Sequence, residues 1–236
     1  NLNQRIKEVS SDSENKTKWD LNPKKYPKRV IEAYENTEGL CPIDYTALDY
    51  KNSLFLPCDE KNSQKKGHIF NAENILKWFN TRPENTCPMC KTTYELDEID
   101  DLIEIAEDRF TSEAVKDQVD KFQIKKILTQ GSATDFNALF EKIDTEKRRL
   151  LISEMIASIT QTDDGIIVLS KPEIRDLLVM IGKGETTEEI RGNISKAIKN
   201  ISRNERGKTL FGTESVKKML VKMGNNAGSD GARGNI

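Results

Sequence analysis

Four cysteines and one histidine carry the soft metal-binding chemistry of this chain. Cys41, Cys58, His68, Cys87 and Cys90 fall within 50 consecutive residues, and the other 186 contain neither type. Cys87-Pro-Met-Cys90 has the Cys-x-x-Cys spacing of a tight turn that presents two thiolates to one tetrahedral metal ion. Cys58 and His68 complete a Cys₃His set, and such a site, closed by four protein ligands, is structural and leaves no position for catalysis. A redox Cys-x-x-Cys belongs between a strand and a helix; this one follows a helix and a loop. A disulfide framework belongs to short secreted chains. The remaining reading is four separate core thiols, since free cysteine is often buried, but scatter would rarely confine all five residues to one window.

These groups need elements to hold them. Residues 72–80 predict a helix with Ile75, Leu76 and Phe79 on one face and Asn71 as its cap. Further on, Ile99, Leu102, Ile103, Ala106 and Phe110 fall at helical spacing. Seven acids among residues 97–108 read as a solvated face near a helix N-terminus, where they suit the macrodipole. The pattern continues through Val115, Val119, Phe122 and Ile127 as one or two helices ending near Gly131. Residues 1–35 read as a polar arm with one short helix near Arg29–Tyr34.

The last hundred residues repeat. Arg149–Thr160 aligns with Arg191–Ser202, 42 positions later, with five of twelve residues identical. Ile174–Gly182 aligns with Val216–Gly224, and Arg191-Gly-Asn-Ile194 with Arg233-Gly-Asn-Ile236, both again 42 apart. A helical period of about 40–47 residues indicates HEAT or armadillo units, stacked so that neighbours bury each other's apolar faces. The chain stops inside a third copy and begins with Asn, so truncation at both ends is expected. The domains expected are therefore the arm 1–35, a Cys/His module 36–95, a helical linker 96–130 and the repeats 131–236.

Composition limits the partners. The 37 basic and 39 acidic residues nearly cancel and are dispersed, which argues against a nucleic-acid footprint. No apolar run approaches the roughly 18 residues of a membrane span, and no signal-peptide pattern opens the chain.

The residues around the cysteines resemble the RING/U-box family of ubiquitin ligases. Cys41-Pro-Ile-Asp44 looks like the opening of such a module. Leu56-Pro57 followed by Gly67-His-Ile-Phe70 resembles the U-box stretch around its Gly-His. Ile75-Leu-Lys-Trp-Phe79 resembles the central helix, and Thr86-Cys-Pro-Met-Cys90 the closing turn. A full RING binds two zinc ions. Here the first site would use Cys41, Asp44, Asn71 and Asn74, mostly unsuited to zinc, and the expectation is that hydrogen bonds replace the metal there, as in a U-box. The second would use Cys58, His68, Cys87 and Cys90 to hold one structural Zn²⁺. In the single-zinc SP-RING family of SUMO ligases the cysteine directly precedes Gly-His; here Lys66 does, and Cys58 lies ten positions before His68.

The resemblance implies a mainly α protein: a small ββα module followed by an α-solenoid of armadillo-like repeats. It implies a ligase without a covalent intermediate, whose partners are a ubiquitin-conjugating enzyme, ubiquitin and a protein substrate. Ile43, Trp78 and Pro88 match the family's conjugating-enzyme docking surface, Lys91 its cationic linchpin after the last cysteine. Ala197-Ile-Lys-Asn-Ile201 is similar to the armadillo signature whose Asn lines a peptide-binding groove, making Asn200 the groove residue. A cytoplasmic location follows, or the host cytosol if the chain is a secreted bacterial effector. The alternatives are a SUMO ligase of SP-RING type and a non-catalytic interaction scaffold.

Overall fold

The computed structural model describes residues 28–58, 67–82, 84–184 and 186–225. The expected arm thus lies outside the described residues as far as residue 27. The chain divides into two compact units, Asn1–Asp120 and Lys121–Ile236. Among the described residues the chain is mainly helical, with one two-stranded sheet, and no helix is long and apolar enough to cross a membrane.

In the first unit, α1 (Lys28–Asn36) buries Ala33 and packs on the sheet; it therefore belongs with the Cys/His region rather than with an arm. A 3₁₀ turn (Tyr50–Asn52), capped by the Asp49 carboxylate accepting from Lys51 N–H, leads into β1 (Ser53–Leu56). Its antiparallel partner is β2 (His68–Asn71), with Leu54 opposite Phe70 and Leu56 opposite His68. Gly67 is required at the entry to β2, because a Cβ there would run into the Phe55 ring. α2 (Ala72–Thr81) follows directly and turns Ala72, Ile75, Leu76 and Phe79 inward, the predicted face. Asn71 occupies the cap position, but its side chain makes no capping bond and is used elsewhere.

The acidic periodic stretch is two helices. α3 (Leu96–Glu107) starts from a Glu95/Glu98 capping box and buries Leu96, Ile99, Ile103 and Ala106. It packs on β1, so it is part of the first unit rather than a linker. α4 (Glu113–Gln130) runs through the division between the units. The break between α3 and α4 is held from 59 and 60 residues away, where Asn52 Oδ1 accepts from Thr111 N–H and Ser112 N–H.

The second unit contains a three-helix block and its copy. α5 (Ala133–Glu141) precedes α6 (Glu146–Ile159), α7 (Asp163–Leu169) and α8 (Pro172–Lys183); α9 (Glu188–Ile201), α10 (Glu205–Phe211) and α11 (Glu214–Asn225) follow. All three helices of the copy start 42 residues after their counterparts, at Glu188, Glu205 and Glu214 against Glu146, Asp163 and Pro172. Local chemistry recurs with them. Thr145 and Thr187 cap the long helices, and Thr162 and Asn204 cap the short ones. Gly165 and Gly207 each sit where a Cβ would strike the carbonyl ending the preceding long helix, Ile159 O or Ile201 O. Arg149 Nη1 donates to Asp144 O at 2.9 Å, and Arg191 Nη1 to Thr186 O at 2.6 Å. Arg149 and Arg191 thereby strap each long helix to the turn before it. Long helices α6 and α9 pack on each other, as do α8 and α11. Their interior is one hydrophobic cluster running from Ile124 to Met223.

Candidate metal centre

The hairpin brings Cys58 and His68 together. Ten positions separate them in sequence, but antiparallel pairing sets Leu56 opposite His68, and Cys58 lies two residues beyond Leu56. The turn after α2 supplies the other two groups. Cys87 N–H donates to Thr92 O at 2.8 Å and Lys91 N–H to Cys87 O at 2.9 Å, while Thr86 bridges Thr93. Lys91 takes the left-handed conformation, φ 62°, that closes this knuckle. The three sulfurs and a His68 ring nitrogen then lie within 4.8 Å of one another, with Cys87 Sγ 3.7 Å from His68 Nδ1. These four residues could hold a metal ion.

The thiols of this cluster depend on one another. Cys87 is held down, to about 4, by hydrogen bonds from Cys58, then against burial by His68 and the N–H groups of Cys90 and Met89. Cys58 is pushed up by the same Cys87 contact and by burial. One sulfur thus carries the negative charge at its neighbour's expense, a conflict that a bound cation removes by stabilising every thiolate. Around the cluster, Tyr94 OH donates to Cys58 Sγ at 3.1 Å, and Thr92 Oγ1 lies 3.0 Å from Cys90 Sγ. Groups that hydrogen-bond ligand sulfurs orient them and tune their basicity.

The first Cys-Pro loop has the same backbone, 46 residues earlier. Cys41 N–H donates to Thr46 O at 2.8 Å, Tyr45 N–H to Cys41 O at 2.8 Å, and Leu40 bridges Ala47. Tyr45 repeats the left-handed conformation at φ 59°. Asp44 stands where the second knuckle has Cys90, so the turn is kept and the ligand is changed. Asn74 Nδ2 donates to Cys41 Sγ at 3.7 Å, and Asn71 Nδ2 to Thr46 Oγ1 at 2.5 Å. Thr46 in turn donates through N–H and Oγ1 to Asp44 Oδ1, at 3.2 and 2.9 Å. Burial would raise the Asp44 carboxyl, but hydrogen bonds from Asn74, Thr46 and Cys41 outweigh it and hold it below its ordinary value. The four positions of the expected lost site are therefore joined by hydrogen bonds, with Thr46 as an additional member.

Trp78 is partly buried, and its Nε1–H donates to Thr86 O at 2.9 Å, tying α2 to the second knuckle. The Arg82 guanidinium lies 3.6 Å above its ring. Lys91 Nζ donates to Pro88 O at 3.1 Å and stands 5.8 Å from the same ring. Trp78, Pro88 and Lys91 are thus gathered at one place. Ile43, partly buried, sits on the first knuckle, in the position that Met89, 54% exposed, takes on the second. Asn200 is 7% exposed, and its Nδ2 donates to Thr160 Oγ1 on the preceding long helix at 3.5 Å; its amide is used between helices.

The sequence reading did not single out Thr46, Thr92 or Tyr94. A signal for the threonines was present: Cys41-Pro-Ile-Asp-Tyr-Thr46 and Cys87-Pro-Met-Cys-Lys-Thr92 share the pattern Cys-Pro-x-x-x-Thr. Tyr94 had none, because its contact with Cys58 spans 36 residues. No protein-family model, curated protein or solved structure matches this chain.

Proposed function

We propose that this protein is a ubiquitin ligase of RING/U-box type, holding one structural Zn²⁺ through Cys58, His68, Cys87 and Cys90. The observation that carries this reading is the pair of equivalent knuckles flanking one hairpin and helix, one fitted with metal ligands and the other with a hydrogen-bond network. The donor set suits zinc. With Zn–S near 2.3 Å and Zn–N near 2.0 Å, tetrahedral donors lie about 3.5–3.8 Å apart, and the Cys87–His68 separation of 3.7 Å falls in that interval. Zinc in this position fixes the knuckle to the hairpin.

The chain's own contribution to transfer is positional. Ile43, Trp78 and Pro88 offer apolar anchors to a ubiquitin-conjugating enzyme, and such anchors dominate small interfaces. Lys91, beside Trp78, supplies a donor toward ubiquitin, though without the planar fork of Arg. Holding the thioester-linked ubiquitin in one reactive orientation accelerates its transfer by proximity alone. The second unit, read as armadillo-like repeats, holds the protein substrate. The setting is cytoplasmic, or a host cytosol for a secreted effector.

The test mixes the protein with a panel of ubiquitin-charged conjugating enzymes and follows loss of the thioester. Discharge by at least one enzyme is expected, and Ile43→Ala and Trp78→Ala should each remove most of it. A folded, metal-loaded protein that accelerates none of them refutes the proposal. One metal-capable cluster among the described residues also suits a SUMO ligase of SP-RING type, so the SUMO-conjugating enzyme belongs in the panel; discharge of that enzyme alone selects the second reading.

A further inference from the structure

Charges that balance over the whole chain do not balance in the second copy of the block. Residues 146–183 carry six basic and six acidic side chains, whereas the matching residues 188–225 carry nine and four. The core is kept: Ile152, Ile156 and Ile174 have the buried counterparts Ile194, Ile198 and Val216. The difference falls on exposed positions. Lys196 stands where the first copy has Glu154, Arg206 where it has Asp164, and Lys218 where it has Asp176. One backbone thus accepts either sign at these places, so the fold itself does not call for the cations.

The four acids of the second copy do not offset them. Glu205 and Glu214 pair with Lys208 and Lys218. Glu188 and Glu189 lie in the first turn of α9, where the macrodipole favours them. Lys196, Lys199, Arg203, Arg206 and Lys217 are exposed, and their side chains make no ion pair or hydrogen bond among the described residues. Lys196 and Lys199 are three apart on one face of α9, at a spacing where like charges repel, and Arg203 follows one turn on. A polar surface that serves solubility alone mixes both signs; this one carries a single sign.

We propose that the outer face of α9, from Lys196 to Arg203, is a docking surface for an acidic protein segment. Carboxylates spaced along an extended chain would neutralise cations that otherwise repel one another, and the attraction reaches roughly 10 Å into solvent at about 0.1 M salt. A nucleic-acid strand fits this face less well, because its bases stack on aromatic side chains. Residues 188–225 have one aromatic side chain, Phe211, and it is 4% exposed. As a substrate, the acidic segment rests on the ligase reading; as a bound partner it does not.

Fluorescence anisotropy of a labelled peptide of alternating Glu and Gly, titrated with the full chain at low ionic strength, tests it. A peptide of alternating Gln and Gly is the control. Binding of the Glu peptide alone, weakened by added salt, is expected. A variant carrying Lys196→Glu, Lys199→Ala and Arg203→Gln receives the side chains that the first copy already holds at Glu154, Ala157 and Gln161, so its melting transition should stay near that of the wild type. It should bind the Glu peptide about 10-fold or more weakly, since each exposed ion pair contributes roughly 1.5- to 5-fold. Failure of the Glu peptide to bind, equal binding of the Gln peptide, or a folded variant that binds as tightly as the wild type overturns the proposal. So does a DNA duplex that binds the wild type more tightly than the peptide and depends on the same three residues. The assay contains neither ubiquitin nor a conjugating enzyme, so its outcome is independent of thioester discharge.

Discussion

Two cysteines at equivalent positions of the two knuckles should respond in opposite ways to the same substitution. Cys87 and Cys41 share backbone geometry, but only Cys87 lies in the four-residue cluster. A complete structural zinc site is worth about 10–16 kcal/mol at neutral pH. Loss of one of its four ligands should remove roughly 3–4 kcal/mol of that, weakening zinc binding by several hundredfold or more. Set against a domain stability of about 5–15 kcal/mol, the Cys87→Ser protein should lose its metal to a chelator that leaves the wild type loaded, and the melting transition of the first unit should fall with it. Cys41→Ser should keep one equivalent of zinc, because Asn74 can donate to a hydroxyl as it does to the thiol. Metal analysis after gel filtration, zinc competition with a chromogenic chelator and thermal unfolding read these outcomes. Acidification should release the metal, since protons compete for the thiolates. Equal zinc in the Cys87→Ser and wild-type proteins, or zinc lost from Cys41→Ser alone, would refute the reasoning.

Gly207→Ala should destabilise the second unit by about 1–3 kcal/mol or more, because the added carbon meets the rigid carbonyl of Ile201; denaturant melts should show Gly165→Ala doing the same at Ile159 and Gly192→Ala, in open space, doing nothing comparable. Lys125 is 5% exposed, and burial lowers its ammonium from 10.5 to about 8. Its folded value is the depressed one, so burying the ammonium costs stability in full below about 8, and that cost is relieved as pH rises to 10.5. Urea melts of the wild type and Lys125→Met should therefore show the wild type gaining on the variant by about 3 kcal/mol between pH 8 and pH 10.5; a difference that stays constant over this interval refutes the assignment.

Local rules carried part of this structure. The face of α2 was readable from Ile75, Leu76 and Phe79 because helical periodicity is set by near neighbours. The 42-residue block was readable because Arg149–Thr160 and Ile174–Gly182 recur at one offset, in Arg191–Ser202 and Val216–Gly224. What sequence did not convey was long-range. Asn71 sits at the cap of α2, yet its amide goes to Thr46, 25 residues away. The break between α3 and α4 was ambiguous because Asn52, which holds it, belongs to a distant turn. The ligand set was visible in residue types, but the approach of Cys58 to His68 depends on strand register, which no spacing rule specifies. The likeness of the two knuckles lay in backbone hydrogen bonds, marked in the sequence only by the shared Cys-Pro-x-x-x-Thr pattern.

The arginine strap has a consequence for how such a chain changes over time. Arg149 and Arg191 each close a long helix onto the turn just before it, so the closure is contained within one block. Duplication or deletion of a whole 42-residue stretch would leave every strap, cap and glycine with its own partners. Unequal recombination could thus lengthen or shorten the array in single steps without touching the Cys/His unit, whereas an insertion or deletion inside residues 144–149 or 186–191 would break the strap that lies there.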